Sequence, residues 1–215
     1  MEFSWLPVKL SIYVSVVATV ITFFIGVFIS YWMVRKKVKG KALIETILFL
    51  PLVLPPSVIG FILIIVFGSN SVIGQAIQMV TGESIIFTVT AAVIAAIVVA
   101  LPLMYQSIKT GFQSVDSNII GAAKVDGAGD MRVLWRIIIP VSSKAIIAGV
   151  ILSFTRAFGE FGATLMFAGN IPGQTQTIPT AIYLSIESGQ TQIAWYYVLI
   201  SIAFSFMLLF SINRK

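Results

Sequence analysis

From Leu10 to Val34 the chain carries no charged residue. A run of that length is long enough to cross a bilayer hydrocarbon core with some tilt. Inside lipid every backbone N–H and C=O must be satisfied internally, so such a run is committed to helix. A signal peptide would have a shorter apolar region and a small-residue cleavage site. This run instead ends in Trp32, Met33 and Val34 before a basic cluster, and reads as a retained first span. The pattern repeats, with spans expected at about 43–67, 85–104, 145–167 and 193–210. With 58% hydrophobic and 10% charged residues in 215, five spans use up the chain and leave no room for a separate soluble catalytic domain. Average soluble domains are about 25% charged.

Orientation follows from the basic residues. Except for Lys9 and Arg156, all 14 Lys and Arg fall in three segments. Arg35, Lys36, Lys37, Lys39 and Lys41 follow the first span. Lys109, Lys124, Arg132, Arg136 and Lys144 lie between the third and fourth, and Arg214 and Lys215 follow the fifth. The intervening loops, about 69–83 and 168–192, hold none. The positive-inside rule puts the N-terminus outside and the C-terminus in the cytoplasm. The formal net charge of +6 is therefore a matter of membrane orientation and not of nucleic-acid binding.

The inventory excludes several chemistries. The chain has no Cys and no His, so thiolate metal sites and cysteine or histidine catalysis are closed to it. No P-loop pattern occurs. No catalytic residue, metal ligand or bound cofactor is expected.

Three features stand out within the spans. The second contains Pro51, Pro55 and Pro56. Proline removes a backbone donor and clashes with the preceding turn, which gives either a simple kink or a pore-lining broken helix. In the third, Ala92, Ala96 and Ala100 recur every four residues, as do Ala91 and Ala95, a spacing that lets helix backbones approach closely. In the fourth, Arg156 and Glu160 stand four apart at membrane depth, where ionisable groups are costly. They are expected to pair on a stripe with Leu152 and Thr164, either fixing helix packing or lining a pore or gate. A second stripe, Ala145, Gly149, Ser153 and Ala157, suits close packing.

The longest polar stretch, 105–143, is expected to form two short helices bent at a glycine elbow, Gly127 and Gly129, with Ser117 or Asn118 capping the first and Pro140 stopping the second. Beyond the fourth span, 169–192 reads as an extracellular loop or as a docking surface for an external binding protein together with the outer vestibule; in it Asn170, Gln174, Thr175, Gln176 and Thr177 offer neutral hydrogen bonds, and 180–187 is a candidate short helix re-entering the pore from outside.

The run GAAKVDGAGDMRVLWRIIIP, residues 121–140, resembles the EAA signature of binding-protein-dependent ABC importer permeases. That signature reads Glu-Ala-Ala, three residues, Gly, nine residues, Ile, one residue, Leu-Pro. Ala122, Ala123, Gly127, Ile137 and Pro140 match in place. Gly121 stands where Glu is usual and Ile139 where Leu is usual. LPLVLPPSVIGF (50–61), FQSVDSNIIGAAKVDGAG (112–129) and FTRAFGEFGATLMFAGNIPGQTQTIPTAIY (154–183) are similar to molybdate permeases of the ModB type.

The resemblance implies an all-α, five-span type I importer permease fold in the cytoplasmic membrane, a single permease domain over 1–215 with a coupling segment at about 117–141. It implies a homodimer that imports molybdate by alternating access. Its partners would be a cytoplasmic ATPase carrying ATP and magnesium and an external molybdate-binding protein. It assigns ATPase coupling to Gly121, Ala122, Ala123, Gly127, Ile137, Ile139 and Pro140. On physical grounds beside it, the apolar side chains of Val125, Met131 and Leu134 are expected to anchor a docked helix. A salt bridge from position 121 to the ATPase is lost with the Glu. Pore or gate candidates are Pro55, Pro56, Arg156, Glu160 and Thr164. Tungstate or sulfate as cargo stays open, as does, more distantly, a gradient-driven secondary transporter.

Overall fold

A computed structural model describes residues 3–36 and 38–213, with side chains to Phe210. Lys37, Arg214 and Lys215 of the basic segments lie outside the described residues. The described chain is helical throughout: α1 (Leu6–Arg35), α2 (Lys41–Val53), α3 (Pro56–Phe67), α4 (Val72–Thr81), α5 (Val89–Gln113), α6 (Ser117–Val125), α7 (Asp130–Val133), a π-helical turn (Leu134–Ile138), α8 (Ile139–Val141), α9 (Ser143–Phe158), α10 (Gly162–Phe167), α11 (Ile178–Glu187) and α12 (Thr191–Asn213).

Three helices, α1, α5 and α12, are long and apolar enough to cross a membrane alone. Two bent pairs raise the number of candidate crossings to as many as five, each pair being either one broken span or a re-entrant loop. One is α2 with α3, turned by 117°; the other is Asp130–Val141 with α9, turned by 78°. The fourth span, expected as one helix over 145–167, is instead broken: α9 ends at Phe158 and α10 starts at Gly162.

Side-chain contacts give each helix its direction. Gly26 of α1 faces Met104 and Ile108 of α5. Val14 and Ala18 pack in one cluster with Ala91, Ala96 and Ala100, and Ser30 Oγ donates to the Tyr105 carbonyl at 3.2 Å. The two helices are thus parallel. Against α5, Ser142 meets Gly111, Gly149 meets Ser107 and Ser153 meets Ala100, so α9 is antiparallel. Tyr197 near the start of α12 bonds Ser4 at the start of α1. The pair α2 and α3 runs along α5 from its inner end outward. Glu45 reaches the inner end of α5, while Ile59 and Leu63 join the cluster at its outer half. The directions alternate as five spans require.

The packing depends on missing side chains. A Cβ on Gly26 would lie 2.9 Å from Met104 Cγ, one on Gly111 2.8 Å from Ala145 Cβ, and one on Gly149 2.7 Å from Ser107 Cβ. Between helices in lipid there is little hydrophobic driving force, so close backbone approach and van der Waals contact carry the association. Both small-residue stripes face this α1–α5–α9 interface. On α1, Ser15 and Thr19 return their hydroxyl protons to carbonyls one turn back, at 2.7 and 2.6 Å, which lets polar side chains sit in a dry core.

Candidate functional site

The break between α2 and α3 follows from proline chemistry. A residue before proline is driven out of the helical region. Leu54 precedes Pro55, and Pro55 precedes Pro56; both are extended, at ψ 144 and ψ 137. Pro56 then opens α3, where a missing N–H costs nothing. Val58 and Ile59 donate to the Pro55 carbonyl and restart the ladder.

The second break, at 159–161, follows Gly159 at the end of α9 and is held by a side chain. Glu160 is buried, and its Oε1 accepts the Ala163 N–H at 2.9 Å, capping the start of α10. Its other oxygen, Oε2, receives Arg156 Nη1 at 2.6 Å. The guanidinium keeps 28% of its side-chain exposure while the carboxylate keeps 2%. Of the two partners, the guanidinium is the more exposed. The helix ends before Glu160, so the stripe through Leu152, Arg156, Glu160 and Thr164 is not continuous. Leu152 is exposed, whereas Thr164 is buried.

The two breaks meet. A Cβ on Gly162 would lie 2.7 Å from Pro56 Cβ, and one on Gly60 would lie 3.2 Å from the Ala163 backbone. The outer halves of both broken spans are thus packed backbone to backbone, with the Arg156–Glu160 pair beside the junction. Among the described residues no three metal-ligating side chains cluster.

On the cytoplasmic side, Asp116, not Ser117 or Asn118, caps α6, accepting the Asn118 N–H at 2.8 Å. A short carboxylate just outside the helix reaches the free N–H groups better than a residue already inside the first turn. Gly127 takes a left-handed conformation, φ 83°, and makes the elbow. Lys124 clasps Asp130 across it at 2.8 Å. Each holds the other charged: the Asp130 carboxyl falls below its ordinary range and the Lys124 ammonium rises above its own, chiefly through that hydrogen bond. The π turn sits one step before Pro140, and Ile139 donates five residues back, to Leu134. Pro140 does not stop the helix as expected: it has no N–H and crowds the preceding turn, but the wider turn accommodates it and the helix runs on to Val141.

The signature positions divide in two. Gly121, Ala122 and Gly127 are exposed and Ala123 is half-buried, with nothing near a Cβ at 121. Val125 and Met131 stand out, at 88% and 64% exposure. Ile137 and Ile139 instead pack on an inner cluster of Met104, Ile108, Phe112, Val133 and Ile138. Leu134 is buried in that same cluster, so it anchors the segment to its own chain and not to a partner.

Sequence reasoning missed two ion pairs, Lys124–Asp130 at the elbow and another between spans. Lys109, counted with the cytoplasmic charges, lies on α5 and reaches Glu45 Oε1 at 2.6 Å, where the Tyr105 hydroxyl also donates at 2.7 Å. This triad ties α2 to α5. On the outer side, α11 starts at Ile178, whose N–H bonds Ser11 Oγ at 2.8 Å. Thr175 and Thr177 are buried, and Thr175 accepts from Ile171 within its own loop. Gln174 stays exposed.

Residues 22–214 match the family described as binding-protein-dependent transport system inner membrane component. YvgM of Bacillus subtilis (strain 168), assigned to molybdenum transport, is 52% identical over 97% of the chain and 92% of its own length. The molybdenum transport system permease protein ModB of Escherichia coli (strain K12) is 41% identical over 86% of the chain and 80% of its own. A chain in the crystal structure of a bacterial alginate ABC transporter, bound to its pentasaccharide-loaded periplasmic protein, covers 100% of this chain and 78% of its own. It superposes with a TM-score of 0.75 at 15% identity, which speaks to fold alone.

Proposed function

The chain belongs to the family of binding-protein-dependent transport system inner membrane components, and from that premise we propose how its two broken spans and its cytoplasmic elbow work together. It is a multi-pass inner-membrane permease subunit of an ABC importer, and its cargo is molybdate, the soluble oxyanion of molybdenum. The exposed elbow carries the reading furthest. A chain with no P-loop presents Gly121, Ala122, Val125 and Met131 on its cytoplasmic side, thin in the middle and apolar at the edges. That shape suits a helix laid into a partner's groove. The partner is a separate ATPase that holds ATP and magnesium, one per permease copy.

Two copies enclose the pathway about a two-fold axis. No residue of α2 is buried in a single copy, and α3 exposes Phe61, Ile62 and Ile65. A second copy would cover those faces. Closure of the ATPase pair draws on the elbows. The pull passes through α7, the π turn and α8 into α9, whose inner stripe is locked on α5. It arrives at 159–161, where the helix is already broken and the two spans can part. An external binding protein then releases molybdate toward the partly exposed Arg156. Glu160 keeps the anion from settling there, because conduction needs weak holding. The cycle alternates between two states. The pore has little means of separating molybdate from tungstate or sulfate, and selection rests with the binding protein.

The test is reconstitution in liposomes with the ATPase and the binding protein. ATP-dependent molybdate uptake, out-competed by tungstate at the binding protein, supports the reading. Uptake that runs on an ion gradient without the ATPase rejects it.

A further inference from the structure

A cavity of about 330 Å³ opens between the end of α1 and the elbow, lined by Tyr31, Arg35, Lys36, Gly121, Lys124 and Asp130. Three cations face one carboxylate there, and that carboxylate is already taken by Lys124. Arg35 Nε and Nη2 are buried and have no hydrogen-bond partner. Unsatisfied buried donors on a cation are expensive, which marks the cavity as built for an anion. A second cavity of about 420 Å³ adjoins it, sharing Tyr31 and Lys36. Its walls are apolar: Phe24, Phe28 and Trp32 of α1 face Met131 and Trp135 of the coupling segment. Phe28 is 72% exposed, and both tryptophans are exposed. Aromatic rings of that kind mark a membrane–water interface.

We propose that an anionic phospholipid of the cytoplasmic leaflet occupies both cavities, its phosphate on Arg35, Lys36 and Lys124 and an acyl chain in the aromatic groove. A basic pocket at the cytoplasmic end of membrane helices is a known form of lipid recognition. The joined apolar groove favours an amphiphile over a carboxylate supplied by a docked protein. The lipid bridges α1 to the coupling segment and steadies the elbow. Gly121 lines the cavity, and a side chain at that position would extend into open space.

Native mass spectrometry of the full chain, with phosphatidylglycerol and phosphatidylcholine offered in equal amounts, tests this. Wild type should retain phosphatidylglycerol selectively. Arg35→Gln should lower that retention about fivefold, the value of one basic residue against an anionic lipid. Gly121→Glu should lower it comparably, by placing a competing carboxylate at the rim, and it carries the test if Arg35→Gln fails to fold. Trp135→Ala should weaken retention of both lipids while keeping the preference. Equal retention of the two lipids by wild type overturns the proposal. So does unchanged retention in a folded Arg35→Gln variant, above all if that variant loses the co-purifying ATPase, which would make the cavity a protein socket.

Discussion

At the scale of single residues, Glu160 does two jobs. It neutralises Arg156 and caps α10. Glu160→Gln keeps an acceptor for the Ala163 N–H but loses the charge. Because Arg156 is only partly buried, the cost should be about 1–2 kcal/mol, below that of a fully buried broken pair. Glu160→Ala removes the cap as well and should cost about 1 kcal/mol more. Thermal unfolding in detergent checks both. If the pair acts as a unit, Arg156→Ala with Glu160→Ala should transport better than either single variant, and uptake no better than the singles would count against it. The sequence made the pairing legible through the four-residue spacing. It hid the capping, because a glutamate bonding an N–H three residues ahead leaves no mark in composition. Asp116 at the start of α6 was overlooked for the opposite reason: Ser117 and Asn118 are equally good cap formers, one and two positions further on.

At the scale of elements, the two breaks have different causes and different legibility. Consecutive prolines at 55 and 56 forbid a continuous helix, so a disruption was visible, and its 117° turn is too sharp for a simple kink. The break at 159–161 lies between Gly159, which ends α9, and Gly162, which opens α10; those glycines were the legible signal, and the inward turn of Glu160 was not. Replacing both prolines by Ala should let α2 and α3 approach one helix and should lower uptake more than membrane insertion. Uptake unchanged at full expression would remove the hinge from the mechanism. Close packing of α5 on α9 gives a sharper test. Gly149→Leu forces atoms into Ser107 and should destabilise the chain by about 1–3 kcal/mol, read as a lowered Tm. The elbow clasp has a defined pH range. Asp130 has its pKa depressed on folding, so its contribution is present above the ordinary aspartate value and is lost as pH falls through the folded one. Lys124 has its pKa raised, so its contribution is lost only as pH rises past the ordinary lysine range. Between pH 6 and 8 the difference in stability between wild type and Asp130→Asn should therefore be flat. A slope there would place another titrating group at the elbow.

At the scale of the molecule, alternation of direction follows from contacts, and sidedness follows from charge. The lack of native Cys makes the pair easy to test. Val125→Cys should label only from the cytoplasm and Gln174→Cys only from outside; the reverse pattern would invert the whole account. The Glu45–Lys109 tie between α2 and α5 was illegible because its partners lie on different spans, and only the folded chain brings them together. The coupling surface was legible as a spacing, yet Leu134 turned out to serve the chain's own core. What the fold adds is a continuous path from elbow to break. The most direct test of that path is ATP-driven molybdate uptake by Ala122→Trp in liposomes holding the ATPase and the binding protein. A bulky ring on the thin face should abolish uptake and leave ATP hydrolysis no longer stimulated by the loaded binding protein. Full coupled uptake by that variant would contradict the claim that this elbow is where the ATPase takes hold.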